Sequence, residues 1–355
     1  MTRLLDDRAP VSEEFGALAS GGGHDGRTGL RRRRRVGSVV VSYLVTVFLL
    51  LTLNFFLPRA MPGDPISALG DPAAPSRIDD EQLRAALAEY YGLDQPLLTQ
   101  YVEYLGGLVH GDLGVSIRYN APVADLVGER LPWTMLLVGT AITLAIVMGW
   151  AAGVHSGWRR GEAVDRGLLA VSLGLKGFPV FFVGSLALVL FAVKLGWFPL
   201  AGTSTPFSEL GLLARIVDVG HHLALPALVL ALEFAASQYL VMRAGMVGEL
   251  GADYLLLGRA KGLRDRRLKY RYAARNALLP AVTLAALHVS FAVTGAILVE
   301  TVFAYQGMGR LVFEAVAFRD YPTLQACFLV LTLMVLTVNF LADATYHRLD
   351  PRTKT

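Results

Sequence analysis

The chain has 355 residues, 54% hydrophobic and 17% charged, with a formal net charge of +4 and a mean hydropathy of +0.48. A soluble domain carries about 25% charged residues, so the composition points to a membrane protein and excludes a disordered chain. Cys327 is the only cysteine, which excludes a disulfide scaffold.

Residues 1–35 hold Gly21-Gly22-Gly23 and five arginines at 31–35 without an apolar period, and read as a disordered basic tail. A membrane span needs about 20 predominantly apolar residues. Six stretches meet that test: 36–57, 133–154, 168–191, 223–247, 278–301 and 323–344. Helices are required, because each backbone N–H and C=O in lipid must be satisfied within its own segment. Pro179 and Pro226 are expected to kink or start their helices, since each lacks a backbone donor. The first run resembles a signal peptide behind its arginines, but a cleaved signal has an apolar core of only about 7–15 residues. This one is longer and ends Leu57-Pro58-Arg59, so it is read as an uncleaved anchor spanning 36–58.

Lys and Arg collect on the cytoplasmic side of a membrane protein. With the N-terminus inside, the inside segments hold 23 basic residues and the outside segments 8. Both termini, including 345–355, are therefore expected in the cytoplasm, and 59–132 outside it. That insertion is acidic, with 11 Asp and Glu against 5 Arg. Within it, Leu83, Leu87 and Tyr90 share one helical face; Asp79 or Asp80 can cap that helix and Gly92 can end it. A second helix starts at Pro96, carries Tyr101, Leu105 and Leu108 along one stripe, and breaks at Gly111-Asp112-Leu113-Gly114. The insertion either receives a partner or covers span ends.

The five-span core, 133–344, contains a loop at 248–277 between the fourth and fifth expected spans. Asp253 can cap a short helix running to Lys261, and Gly262 supplies a permissive turn. Tyr254, Leu257 and Lys261 then lie on one face. A second helix carries six basic residues between Arg264 and Arg275, and Pro280 begins the next span. Positive-inside anchoring accounts for the basic residues. It does not account for a short exposed apolar helix, which needs a partner surface such as a groove on a soluble subunit.

Four separated stretches carry a resemblance to a known family. They are Met61-Pro62-Gly63-Asp64-Pro65; Gly92-Leu93-Asp94-Gln95-Pro96 with Gln100-Tyr101 and Gly111-Asp112-Leu113-Gly114; Asp253-Tyr254 with Arg259-Ala260-Lys261-Gly262-Leu263 and Arg275-Asn276-Ala277-Leu278-Leu279-Pro280; and Glu300-Thr301-Val302-Phe303, Gly307-Met308-Gly309-Arg310, Asp320-Tyr321-Pro322 and Leu349-Asp350-Pro351-Arg352. In order and spacing they resemble a permease subunit of a binding-protein-dependent ATP-binding-cassette importer of the dipeptide, oligopeptide and nickel branch, over 36–355. The resemblance implies an all-α membrane protein with six transmembrane helices, both termini inside, in a bacterial cytoplasmic membrane. It implies that Asp253, Tyr254, Leu257, Arg259, Ala260, Lys261, Gly262 and Leu263 form a coupling helix against an ATPase. The implied partners are a second permease subunit, two ATP-binding subunits that use ATP and Mg, and an extracytoplasmic substrate-binding protein. No cofactor is expected in this chain and no nucleic acid beside it, only membrane lipid. At 255–258 the sequence departs from the polar, Ala-rich run common in the family, and Glu233 stands where a small or apolar residue is usual.

A charge at the bilayer centre costs about 2.5–3.5 kcal/mol on insertion scales, so such residues face the bundle interior. Glu233, Gln238 and His288 are candidates for a translocation path, with Lys176 and Glu300 also intramembrane; internal pairing that fixes helix packing is the alternative. No G-x-x-x-x-G-K-[ST] loop, H-E-x-x-H motif or G-x-S-x-G elbow occurs, so no enzyme is expected. His155-Ser156 has no acid beside it in sequence, and His221-His222 offers a metal contact or interfacial packing. The competing reading is a self-sufficient secondary transporter of small solutes, which would show coupling-ion residues and paired repeats.

Overall fold

The computed structural model describes residues 45–61, 66, 81–207 and 211–349, the last nine by backbone alone. The expected tail at 1–35, Met61-Pro62-Gly63-Asp64-Pro65 beyond its first residue, the caps Asp79 and Asp80, and 350–355 lie outside the described residues. The chain divides into two units, Met1–Leu53 and Asn54–Thr355. Residues 45–53 of the first are helical, in a helix α1 that runs Val45–Arg59.

In the second unit come α2 (Glu81–Tyr90) and α3 (Leu97–His110), the two helices expected in the insertion. Pro96 precedes α3, and Gly111 closes it at φ 77. The bundle follows: α4 (Val123–Trp158), α5 (Ala163–Lys176), α6 (Val180–Lys194), α7 (Leu212–Glu249), α8 (Asp253–Ala260), α9 (Asp265–Val302), α10 (Met308–Ala317) and α11 (Tyr321–Leu349). No strand occurs among the described residues. Four of these helices are long and apolar enough to cross a membrane, and a broken pair makes up to five.

The span expected over 168–191 is a broken pair, interrupted at the proline expected to kink or start a helix there. α5 and α6 meet at 104° across Gly177, Phe178 and Pro179, because Pro179 has no N–H for a continuing helix and sits at the α6 N-terminus. Pro226 and Pro280 lie inside α7 and α9, and Pro132 inside α4, so the helices around them run on; α9 starts at Asp265 rather than at Pro280. Neighbouring helices and local helical adjustment supply what the missing N–H does not. α4 likewise begins ten residues before the expected 133, inside the stretch assigned to the insertion.

α4 and α7 form the most closely packed helix pair. Gly149, Gly153 and Gly157 of α4 face Gln238, Met242 and Met246 of α7, and a Cβ at any of the three glycines would stand 2.5–2.7 Å from those side chains. Small residues every fourth position let two backbones approach where lipid offers no hydrophobic drive to association. Around this pair lie three apolar clusters. Leu137, Leu230, Phe234 and Val299 fill the middle. Val127, Met308, Leu311 and Leu324 fill the end that carries α10. Met242, Met246, Leu255 and Leu268 fill the end that carries α8.

Candidate functional site

At the α8 end, the short helix does not use the expected cap: Ala252 occupies the N-cap position and no side chain bonds the first turn. Asp253 instead stands in that turn, where a negative charge complements the helix dipole. The inward face is Leu255 and Gly258, both buried. Gly258 lies so close to α9 that a Cβ there would meet Leu268 Cδ2 at 2.5 Å. The departure at 255–258 therefore has a packing reason: Leu255 anchors the helix and Gly258 admits Leu268. The outward face carries Leu256 and Leu257, 58% and 56% exposed, beside exposed Arg259, Ala260 and Lys261. Tyr254 is half-buried and donates its hydroxyl to Glu249; burial, with that carboxylate beside it, raises the phenol above its ordinary value. Gly262 turns the chain at φ 75 with open space around its Cα, a conformation an L side chain resists. Leu263 is half-buried behind it, next to the position a Gly258 Cβ would take.

Two polar ties brace this end. Lys269, buried, reaches His155 Nδ1 at 3.2 Å, joining α9 to α4. Asp165 of α5 accepts from Arg243 Nε and Nη2 of α7 at 2.6 and 2.8 Å, and from Ser156. Sequence neighbours showed no acid for Ser156; Asp165 supplies one across a turn, and Tyr239 lies 2.8 Å away. His155 faces Lys269 instead, so no Ser-His-Asp relay forms. Arg243, which position alone allows to snorkel, is held by this carboxylate.

In the middle of the bundle, Lys176, Glu233, Ser237 and His288 line a cavity of about 400 Å³ with Phe234 and Phe291. Lys176 Nζ donates to Ser237 Oγ at 2.6 Å. Glu233 and His288 thus share one space. Gln238 does not line it: only 1% exposed, it accepts from Trp150 Nε1 at 3.0 Å and donates Nε2 to His288 Nδ1 at 3.2 Å. With Nδ1 accepting, neutral His288 carries its proton on Nε2. Gln238 lies behind the cavity wall, bonded to both Trp150 and His288.

The opposite end is organised by two buried carboxylates. Glu300 accepts from Thr134 Oγ1 at 2.7 Å and from the Gly309 and Arg310 amides at 2.7 and 3.2 Å, taking up unpaired donors of the α10 N-terminus. Its contacts are those of packing rather than of a path. They explain the glycine motif beside it: a Cβ on Gly307 would stand 2.3 Å from the Glu300 carboxyl, and one on Gly309 2.4 Å from Ile297 Cα. Asp320 accepts from Ser116 Oγ at 2.5 Å and Thr323 Oγ1 at 2.7 Å, tying the stretch after Gly111-Asp112-Leu113-Gly114 to α11. His221 and His222 each approach a backbone oxygen, of Trp197 and Asp218, and no metal-holding group of three His, Cys, Asp or Glu occurs among the described residues.

Comparison with known proteins gives these features a family. The model of the binding-protein-dependent transport system inner membrane component matches residues 141–355, and that of its N-terminal part matches 31–138. A Brucella suis biovar 1 (strain 1330) protein bearing a peptide-permease name is 40% identical over 307 residues, 86% of this chain and 94% of that protein. The oligopeptide transport system permease protein AppB of Bacillus subtilis (strain 168) is 35% identical over 321 residues, 90% of this chain and 97% of that one. The glutathione transport system permease protein GsiC of Escherichia coli (strain K12) is 33% identical over 312 residues, 88% and 96%. Among solved structures, the inward-facing methionine ABC transporter MetNI matches with a TM-score of 0.50 and 15% identity, over 64% of this chain and 97% of that one, a likeness of fold. The chain belongs to the binding-protein-dependent transport system inner membrane component family, and is a multi-pass membrane permease of the kind whose ATPase resides on separate subunits.

Proposed function

We infer that this chain is the transmembrane permease subunit of an ATP-driven importer of di- or oligopeptides. Near-full-length similarity to relatives named for peptide, oligopeptide and glutathione transport carries that reading. The assembly contains a second permease, two ATP-binding subunits that use ATP and Mg, and an extracytoplasmic substrate-binding protein. The six spans are 36–58, α4, the broken α5–α6 pair, α7, α9 and α11, with both termini in the cytoplasm and α2, α3 and α10 outside. On this reading α8 is the coupling helix. Leu256 and Leu257 are exposed on a rigidly backed turn of helix, and two adjacent leucines in water favour burial in a partner groove. ATP-driven closure of the ATPase pair then moves α8 and the spans attached to it, a hinge or shear transition.

Purification of the tagged chain from its native membrane in mild detergent tests this. The native chain is expected to bring down ATPase subunits and a second permease, and Leu256→Asp/Leu257→Asp to lose the ATPases while keeping the permease. A chain recovered alone that transports in vesicles without ATP would overturn the importer reading.

A further inference from the structure

The cavity between α5, α7 and α9 holds a carboxylate without a donor. Glu233 lines it, and among the described residues no side chain or amide hydrogen-bonds its carboxyl. Lys176 donates to Ser237 Oγ at 2.6 Å and its charge acts on Glu233 without a direct hydrogen bond to that carboxyl. His288, whose Nδ1 is occupied by Gln238, lines the same cavity. Glu233 is exposed, so water or a cation can reach its carboxylate, whereas a charge turned to lipid would be costly.

The lining also selects among cations. Phe234 and Phe291 line the same cavity, and an aromatic face in a site that holds a carboxylate attracts organic ammonium groups. Divalent metals find too few ligands, since no three His, Cys, Asp or Glu side chains meet among the described residues. Resting on the peptide-importer reading, we propose that Glu233 is a substrate-contacting residue that takes the free α-ammonium group of a peptide as it crosses the membrane. The ammonium supplies the donors Glu233 lacks, and the phenyl rings of Phe234 and Phe291 lie against the adjoining apolar atoms. The site confers a preference at the membrane step, in addition to any made by a separate binding protein.

The test follows Glu233 itself. Vesicles carrying the complete transporter are treated with dicyclohexylcarbodiimide, and labelling of Glu233 is quantified by mass spectrometry with tri-alanine or N-acetyl-tri-alanine present at 10 mM. Free tri-alanine is expected to slow labelling at least about fivefold, and the acetylated peptide to leave it unchanged; in Glu233→Gln the labelled peptide disappears. Equal protection by both peptides, or by neither, overturns the proposal, because a carboxylate that only balances Lys176 has no reason to distinguish them. ATP-dependent uptake of tri-alanine on the same vesicles reads the peptide-importer function separately. Selective protection without uptake removes the importer reading and keeps the ammonium site; uptake without selective protection does the reverse.

Discussion

Gly258 of α8 and Leu268 of α9 touch with no side chain on the glycine, a Cβ there falling 2.5 Å from Leu268 Cδ2. Leu268 is fully buried and packs with Leu255, so it has little room to retreat. This contact sets the pose of α8, and hence the direction in which Leu256 and Leu257 face.

Gly258→Val is therefore expected to tilt α8 off α9 at a local cost of about 1–3 kcal/mol, the range for overpacking a filled core. The bundle, held mainly by α4 and α7, stays folded. Copurified ATPase should fall while detergent-solubilised yield is retained; unchanged association would show that α8 does not depend on this contact.

The Asp165–Arg243 pair joins α5 to α7, with Asp165 2% exposed. Asp165→Asn leaves a guanidinium short of its counter-charge, and breaking a buried pair costs about 3–5 kcal/mol; Arg243 is partly exposed, which puts the expected loss at the low end or below. A lower melting temperature in detergent, restored in part by pairing the change with Arg243→Met, is the signature. Additive losses in the double variant would mean the two residues act independently.

Glu300 organises the N-terminus of α10. Glu300→Ala strands the Gly309 and Arg310 amides and the Thr134 hydroxyl, each buried donor left unmatched costing about 1–3 kcal/mol. Faster amide hydrogen exchange confined first to 308–317 is the expected outcome. Glu300→Gln, which keeps the shape and can still accept, should lose less.

Glu314 of α10 carries a pH dependence. Burial pushes its carboxyl up, but the Tyr119 hydroxyl at 2.6 Å and Arg310 Nε at 2.9 Å outweigh it, and the net shift is downward. A depressed carboxyl stabilises the fold above its unfolded value, near the ordinary Glu value of about 4.3, and that contribution is lost as pH falls through the lower folded value. Melting temperatures of the native chain and Glu314→Gln should therefore differ at pH 7 and converge as pH falls below the ordinary Glu value. Tyr119, pushed up to about 12 first by burial and then by Glu314, works in the opposite sense. Its contribution is complete below its ordinary value of about 10 and fades as pH rises toward 12.

Apolar run length, which any 20-residue window reveals, determined that this is an all-α membrane protein, and the spacing of Gly, Pro and Asp motifs marked the stretch that became α8. The two insertion helices were also legible, since amphipathic period and terminal glycine or proline act within a few residues. Local signals failed where a distant partner decides. Pro179 and Pro280 look alike in sequence, yet one bends the chain by 104° and the other lies inside α9, because neighbouring helices determine whether a missing N–H matters. The same holds for side chains: Glu300 and Glu233 are both intramembrane carboxylates. Packing against the α10 N-terminus satisfies Glu300, whereas Glu233 is left facing a cavity. Leu255, Gly258 and Leu268 carry no chemistry in the sequence, and only the crossing of α8 over α9 makes them the support of the exposed leucine pair.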